Sequence, residues 1–391
     1  KAVSEPPSKL PQSIGRYEVL TELAVGGMAV VYLAIEHGDH GLQRPVVVKQ
    51  ILPRHTRDDS FRRMLLQEAK IAARISHPNV VQIHELGAED GLPFIVMEYL
   101  GGVNLREVTR KAAQEGTWVP VGVALGICIQ ACAGAHAAHE LHGPDGEPAN
   151  LVHRDLTPHN LVVNPEGHVK VLDFGVAKAS FSQEKTRTGV LKGKVSYMSP
   201  EQLYQKPLDR RSDLFALGSV LWELLEGRAL FRRDTEIATM HAVLNMAIPD
   251  LCERRGDVPP ALMVALKKSL RRNPDQRYSS ADEMRKTLAE VATDEGLDVG
   301  ADAIGEFIGG LMKELLDQRQ QLVKNMVARS VSTPREVTET ASTMVAAPVR
   351  AAPVPSVAID LPVTITARPK VALRSSWKGP VGGAVVAALV Q

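Results

Sequence analysis

The chain has 391 residues, 44% of them apolar, and a formal net charge of +1. That length and composition suit a bilobal domain of about 270 residues with appendages, and the balanced, interspersed charge excludes a nucleic-acid-binding footprint and an acidic tail. Three cysteines only, Cys128, Cys132 and Cys252, exclude a disulfide framework and fit a reducing compartment.

Residues 1–16 are rich in Pro and Ser and read as a flexible lead-in. Residues 17–100 are strand-rich. "RYEVLTEL", "VVYLAIE", "RPVVVKQIL", "VVQIHELGAE" and "LPFIVMEYL" carry β-branched and apolar residues between Gly, Pro or Asp breaks. One helical segment interrupts them, "SFRRMLLQEAKIAARI", whose Met64, Leu65, Ile71 and Ile75 suit a half-buried helix. Residues 101–292 read as mostly helical, with helices over 121–141, 212–226, 234–245, 260–271 and 279–292. Cys128 and Cys132 lie four apart in an apolar run, and two ligands make a poor metal site, so they read as core packing. Residues 293–326 add an amphipathic helical segment, with a candidate helix over 300–326. Residues 327–376 turn Pro-, Ala-, Val- and Thr-rich without period and read as a disordered linker.

The chemistry concentrates in "HRDLTPHN" at 153–160 and "DFG" at 173–175. Phosphoryl transfer needs metal ions on the nucleotide's phosphates and an orienter for the attacking hydroxyl. Asp155 is placed to accept the hydroxyl proton, and Asn160 and Asp173 offer hard oxygen ligands suited to Mg²⁺, with Mn²⁺ as a substitute. The joint pattern H-R-D-x-x-x-x-N then D-F-G resembles the protein kinase family, in its bacterial eukaryotic-like Ser/Thr form, over residues 17–290.

The resemblance implies an α+β bilobal fold: a small antiparallel-sheet N-lobe with one helix, then a larger, mostly helical C-lobe. It implies ATP and protein substrates as ligands. Lys49, ending "PVVVK", would hold the α- and β-phosphates and pair with Glu68. Gly26, Gly27 and Val31 would cover the phosphates, Met97 would be the gatekeeper, and the peptide groups of Glu98 and Leu100 would bond the adenine edge. Glu201 in "YMSPEQ" would pair with Arg277, and Asp213 would brace the catalytic loop from behind. Arg154 would meet an activation-loop phosphate, for which Thr186 and Thr188 are the candidate acceptors. Pro158 leans toward Ser/Thr acceptors, and the stretch before His153 reads as a surface excursion.

Two departures stand out. Where the family has its first and third loop glycines, this chain has Ala24 and Ala29. Either these positions keep negative φ or the nucleotide grip is weakened, since alanine at positive φ costs about 1 kcal/mol; the retained Gly26 favours the first. Thr157 stands where the Ser/Thr branch has a Lys, and Lys194, after Gly193, stands where the family has a Thr. The expectation is an exchange across the cleft, in which the ammonium of Lys194 stabilises the transferred phosphoryl and the Thr157 hydroxyl bonds Asp155. The competing class is a pseudokinase scaffold, favoured by these changes and opposed by the intact Lys49, Glu68, Asp155, Asn160 and Asp173. A small-molecule phosphotransferase is a weaker third reading.

Arg368, Lys370, Arg374 and Lys378 precede the apolar run of residues 377–391, with Trp377 among them. Basic residues and Trp on one flank fit a cytoplasmic membrane boundary. Residues 381–390 would reach about 15 Å as helix against a hydrocarbon core of about 30 Å, so the run is expected to begin a span continued elsewhere, tethering a cytoplasmic catalytic domain; the alternative is a soluble protein with a sticky, disordered end. Thr338, Thr340, Ser342 and Thr343 in the linker are candidate phosphoacceptors.

Overall fold

The computed structural model describes residues 10–53, 59–143, 145–174 and 194–332. Gly175, Thr186, Thr188, Gly193, the linker from residue 333 and the terminal run lie outside the described residues.

Alternating apolar residues in the first hundred positions build a six-stranded antiparallel sheet. It comprises β1 (Ser13–Ile14), β2 (Tyr17–Val25), β3 (Ala29–His37), β4 (Gln43–Ile51), β5 (Ile83–Glu89) and β6 (Leu92–Glu98), in the order β1-β2-β3-β4-β6-β5. The period of two sends Tyr32, Val46, Val48, Phe94 and Val96 into one buried cluster and Ile95 and Met97 into another on the opposite face. α1 (Asp59–Ala72) packs on that second face, where Ala69 is fully buried. The lead-in is shorter than expected: Ser13 and Ile14 pair with β2, and Ile14 is fully buried. The cause is a tight reversal at Gly15, whose φ of +57° is cheap only for glycine.

The C-lobe is helical, as the periodicity indicates. α2 (Leu105–Gln114) opens with a capping box in which Asn104 and Glu107 exchange bonds with each other's backbone. α3 (Val121–His139) is buried on nearly all sides and carries Cys128 and Cys132, both fully buried, so it is a core helix. Burial pushes both thiols up, Cys132 to about 12. A small sheet of β7 (Val103–Asn104), β8 (Leu161–Val163) and β9 (Val169–Val171) carries the loops between 153 and 174. There follow α4 (Pro200–Leu203), α5 (Arg211–Glu226), α6 (Glu236–Asn245), α7 (Pro260–Ser269) and α8 (Ala281–Asp294).

Beyond them the expected single helix is two, α9 (Ala301–Leu311) and α10 (Lys313–Ser332), broken at the buried Met312. Residues 327–332, expected in the linker, continue α10, because the helix finds partners on the body of the protein. α9 and the residues leading into it dock through close backbone approaches that only glycine permits. A Cβ on Gly122 would lie 2.3 Å from Asp298 O, and one on Gly167, whose φ is +76°, would lie 1.8 Å from Ala301 O. Gly167→Ala is therefore expected to destabilise the fold by about 2–3 kcal/mol, strain and clash together. Gly91→Ala, with φ +78° but open space around it, should cost only about 1 kcal/mol. Equal losses in a denaturant titration would remove the docking argument.

Candidate active site

The N-lobe side of the cleft is set by the β2–β3 hairpin. Its tip closes with the Gly26 N–H donating to Ala29 O at 2.8 Å. Ala24 and Ala29 are strand residues, Ala24 opposite Val31 and Ala29 opposite Ile51, and neither has positive φ. The alternative left open by the sequence is thereby resolved: alanine is unstrained at both positions, because the strands run to the very tip. Gly27 is exposed, with open space where a side chain would project. Val31 pairs across the ladder with Lys49, so the loop and the lysine share one register.

Lys49 Nζ sits 2.8 Å from Asp173 Oδ1. This corrects the expected Lys49–Glu68 pair: among the described residues, the ion pair of Lys49 is made with Asp173. The ammonium takes the carboxylate that the adjoining loop delivers to the floor of the cleft, while Glu68 lies half-buried on α1. A small cavity of about 20 Å³ lies behind, lined by Lys49, Ala72, Ile95, Met97, Asp173 and Phe174. Met97, next to the end of β6, forms part of that cavity's wall. Glu98, the last residue of β6, is tied down by three bonds: its N–H donates to Gln82 O (3.0 Å), and its carboxylate accepts from Gln82 N (2.7 Å) and Lys170 Nζ (2.6 Å). Leu100 is half-buried against Met97 and its neighbours.

The loop at 153–160 hangs on one buried carboxylate. Asp213, 1% exposed, accepts from His139 Nε2 (2.8 Å), His153 N (2.8 Å) and Arg154 N (2.9 Å). Burial alone would push this carboxyl up, but the hydrogen bond and charge of His139 and the bond from His153 hold it below its usual range. Arg154 is bent to a φ of +66°, a strained conformation held from both sides, since its own carbonyl accepts from Gln202 Nε2 at 2.9 Å. Its Nε is buried without a hydrogen-bond partner among the described residues.

Two bonds stitch this loop to the next. His153 Nε2 donates to Leu172 O (2.7 Å), and Leu172 N donates to Asn160 O (2.8 Å), which brings Asp173 beside Asn160. Asp173 itself has φ +49°. Asp155 Oδ2 accepts from Asn160 Nδ2 (3.0 Å) and from Lys194 Nζ (2.9 Å). With its nitrogen engaged, Asn160 offers Oδ1 as its oxygen. Thr157 is buried, and among the described residues the Asp155 carboxylate is bonded by Asn160 and Lys194 rather than by Thr157, which departs from that half of the expected exchange. Asn160 and Lys194 are the groups that bond Oδ2, and Asn160 N–H bonds back to Thr157 O (2.9 Å) in the tight turn between them.

Asn160 Oδ1 and the Asp173 carboxylate form a sparse, hard donor pair. Magnesium takes one or two protein ligands and completes its octahedron from phosphates and water, so the pair fits it. Among the described residues no group of three or more His, Cys, Asp or Glu forms a stand-alone cage.

The platform beneath is built from buried polar clusters. Arg277 clasps Glu201 through both nitrogens (2.6 and 2.8 Å), and Ser212 Oγ adds a third bond (2.7 Å). Burial would raise Glu201, but the Arg277 bonds and charge, with Ser212, hold it low. Sequence reasoning missed a second cluster in which the fully buried Glu223 accepts from Tyr197 Oη (2.5 Å) and Arg106 Nη1 (3.0 Å). Burial dominates there and pushes the Glu223 carboxyl up. His139 and Gln202, on which the 153–160 loop leans, were also missed. Neither carries a local signal, although the Ser199-x-x-Gln202 capping box that positions Gln202 was readable.

Comparison with known proteins agrees with this geometry. The family described as Protein kinase domain matches residues 17–288. The tyrosine-protein kinase MasK of Myxococcus xanthus is 41% identical over 301 residues, covering 77% of this chain and 47% of MasK. The serine/threonine-protein kinase PknB of Mycolicibacterium smegmatis is 36% identical over 288 residues, covering 72% and 44%. This chain therefore spans less than half the length of either relative. The PknI kinase domain of Mycobacterium tuberculosis superposes with a TM-score of 0.54 at 26% identity, covering 72% of this chain and 99% of that one. The chain belongs to the protein kinase domain family, and the bilobal fold is that family's fold.

Proposed function

We propose that this chain is an ATP-dependent protein kinase acting on Ser/Thr hydroxyls. The observation that carries the reading is the stitched loop pair, which gathers Asp155, Asn160 and Asp173 with Lys194 reaching in from the opposite wall. Magnesium-bound ATP supplies the phosphoryl group when it binds. Lys49 would exchange Asp173 for the α- and β-phosphates, and Asn160 Oδ1 and Asp173 would hold the metal. The carbonyl of Glu98 and the peptide of Leu100 meet the adenine edge, since the Glu98 N–H is already committed to Gln82. Asp155 orients the acceptor hydroxyl and takes its proton. Lys194, a fixed cation 2.9 Å from Asp155, compensates charge that develops on the phosphoryl oxygens.

The orphaned Nε of Arg154 supports a second element of the reading, autophosphorylation at Thr186 or Thr188, whose phosphate would fill that site. The basic and apolar tail motivates a third, a tether holding the domain at the cytoplasmic face of a membrane, testable by fractionating the full-length protein.

The Lys49–Asp173 pairing favours a rival reading, a nucleotide-binding scaffold. One assay separates them. Label from γ-labelled ATP is expected to appear on a generic basic protein only with Mg²⁺ and to vanish in Asp173→Ala, and acid hydrolysis is expected to yield phosphoserine and phosphothreonine. Phosphotyrosine as the product would replace the Ser/Thr assignment with the acceptor class that MasK's name carries. Nucleotide binding without transfer would leave the scaffold.

A further inference from the structure

Helix α10 crosses from the C-lobe to the N-lobe past the segment that joins them. At its start Leu315 and Leu316 are half-buried against the C-lobe core, beside the buried Met312. At its middle Arg319 donates to Gly102 O (3.0 Å) and grips the Glu107 carboxylate (2.6 and 3.3 Å), the same carboxylate that caps α2. In its last turns Ser330 Oγ donates to Glu18 Oε2 on β2 at 2.6 Å. That oxygen also lies 2.7 Å from His37 Nε2 on the neighbouring strand. Eleven residues of helix, about 16 Å, thus connect the lobe junction to the N-lobe sheet.

The two attachments differ in kind. The C-lobe end combines apolar burial, a forked ion pair and a carbonyl bond. The N-lobe end includes a hydroxyl donating to a carboxylate, and a hydroxyl is the group a protein kinase modifies. A phosphoserine at 330 has no proton to donate at neutral pH and brings about −1.5 to −2 charges. It would face the Glu18 carboxylate and the negative end of its own helix, where anions are disfavoured. Among the described side chains on the neighbouring strand, His37 is already engaged with Glu18.

We propose that Ser330 is a phosphorylation site and that phosphate there unlatches α10 from the N-lobe, freeing the lobes to move relative to each other. The modifying enzyme is a second copy of this chain, a step that rests on the kinase reading above. In that step the bond from the γ-phosphorus to the β–γ bridging oxygen breaks as the bond to Ser330 Oγ forms. The hydroxyl proton passes to Asp155 of the acting copy and on to solvent, and the nucleoside diphosphate leaves.

Two measurements test it. In the first, a tagged Asp155→Asn chain is mixed with wild type, ATP and Mg²⁺, then digested for mass spectrometry. Phosphate on Ser330 of the tagged chain is the expected result. In the second, amide hydrogen exchange is followed over residues 320–332 without nucleotide. Ser330→Asp is expected to speed exchange there about tenfold or more, and Ser330→Ala far less. Ser330→Asp combined with Glu18→Lys, which restores an attraction, should return most of the protection. ATP affinity of Ser330→Asp should fall about three- to fivefold, the worth of one latch bond. Transfer to a generic basic protein with Ser330 untouched would overturn the site while leaving the kinase reading standing. No transfer to anything would end both that reading and self-modification. Unchanged exchange in Ser330→Asp would overturn the latch whatever the outcome of the first measurement.

Discussion

Lys194→Ala is expected to lower kcat for protein phosphorylation by about 10²–10³-fold, the usual loss when one preorganised group that stabilises transition-state charge is removed. KM for ATP should move little, because the nucleotide's other proposed holders, Lys49, Asn160 and Asp173, are untouched. The argument starts from geometry. Lys194 Nζ lies 2.9 Å from Asp155 Oδ2, and its side chain is 45% exposed, so it stands at the mouth of the cleft and can swing from the carboxylate to an arriving phosphate. A cation that served only to neutralise Asp155 would behave differently. Its loss would change the pH dependence of the reaction and leave the rate plateau nearly intact. The reciprocal variant Thr157→Lys/Lys194→Thr should recover part of the rate, since it returns the ammonium to the wall it occupies in the wider Ser/Thr branch. Thr157 is only 3% exposed, so the new lysine must displace packed neighbours, and full recovery is not expected. A Lys194→Ala enzyme as fast as wild type would end the proposal that the cation has changed walls.

The elements legible in the sequence share a property: each is a short run whose residues act within one loop or one turn. "HRDLTPHN" and "DFG" identify Asp155, Asn160 and Asp173 because their spacing is the chemistry. The order of strands and helices followed from periodicity for the same reason. What could not be read is the long-range pairing of single polar residues. Arg319 meets Glu107 from 212 positions away and Ser330 meets Glu18 from 312, and no local pattern marks either. The end of α10 was misjudged on that account. Its C-terminal residues look like linker by composition and become helix because partners on both lobes hold them. The Thr157 bond could not be read because motif spacing does not record where a hydroxyl in the turn points; Asn160 and Lys194 are the residues that bond Asp155 Oδ2. Glu68 failed because Asp173 competes for the same ammonium, a competition that motif spacing does not record.

Glu201→Ala should be the most destabilising single change on the substrate-side platform, costing about 3–5 kcal/mol, the range for stranding one partner of a buried ion pair. Arg277 explains the size. Its side chain is fully buried, and beyond Glu201 its guanidinium meets, among the described residues, the carbonyls of Arg271 (2.7 Å), Arg211 (2.9 Å) and Arg272 (3.1 Å) and the face of the Phe215 ring, 5.0 Å from its centroid. Removing the carboxylate leaves a buried cation held by carbonyl dipoles and one aromatic face. The thermal midpoint should fall by roughly 10 °C for a domain of this size. Glu201→Ala/Arg277→Met, which removes both charges and refills the volume, should recover most of the loss. The pH dependence has a definite sign. Because the Glu201 carboxyl is held below its ordinary 4.5, the pair's contribution is complete above that pH and is lost as pH falls through the lower folded value. The wild-type advantage over Glu201→Ala should therefore shrink in acid and stay constant from pH 6 to 8. Catalysis should suffer as well. Glu201 sits in α4 beside Gln202, whose side chain holds the carbonyl of the strained Arg154, so loosening α4 frees the backbone that aims Asp155. A midpoint within 2 °C of wild type would mean that Arg277 is satisfied by its carbonyls and the Phe215 face, and the platform would then owe its rigidity to Glu223 and Tyr197 instead.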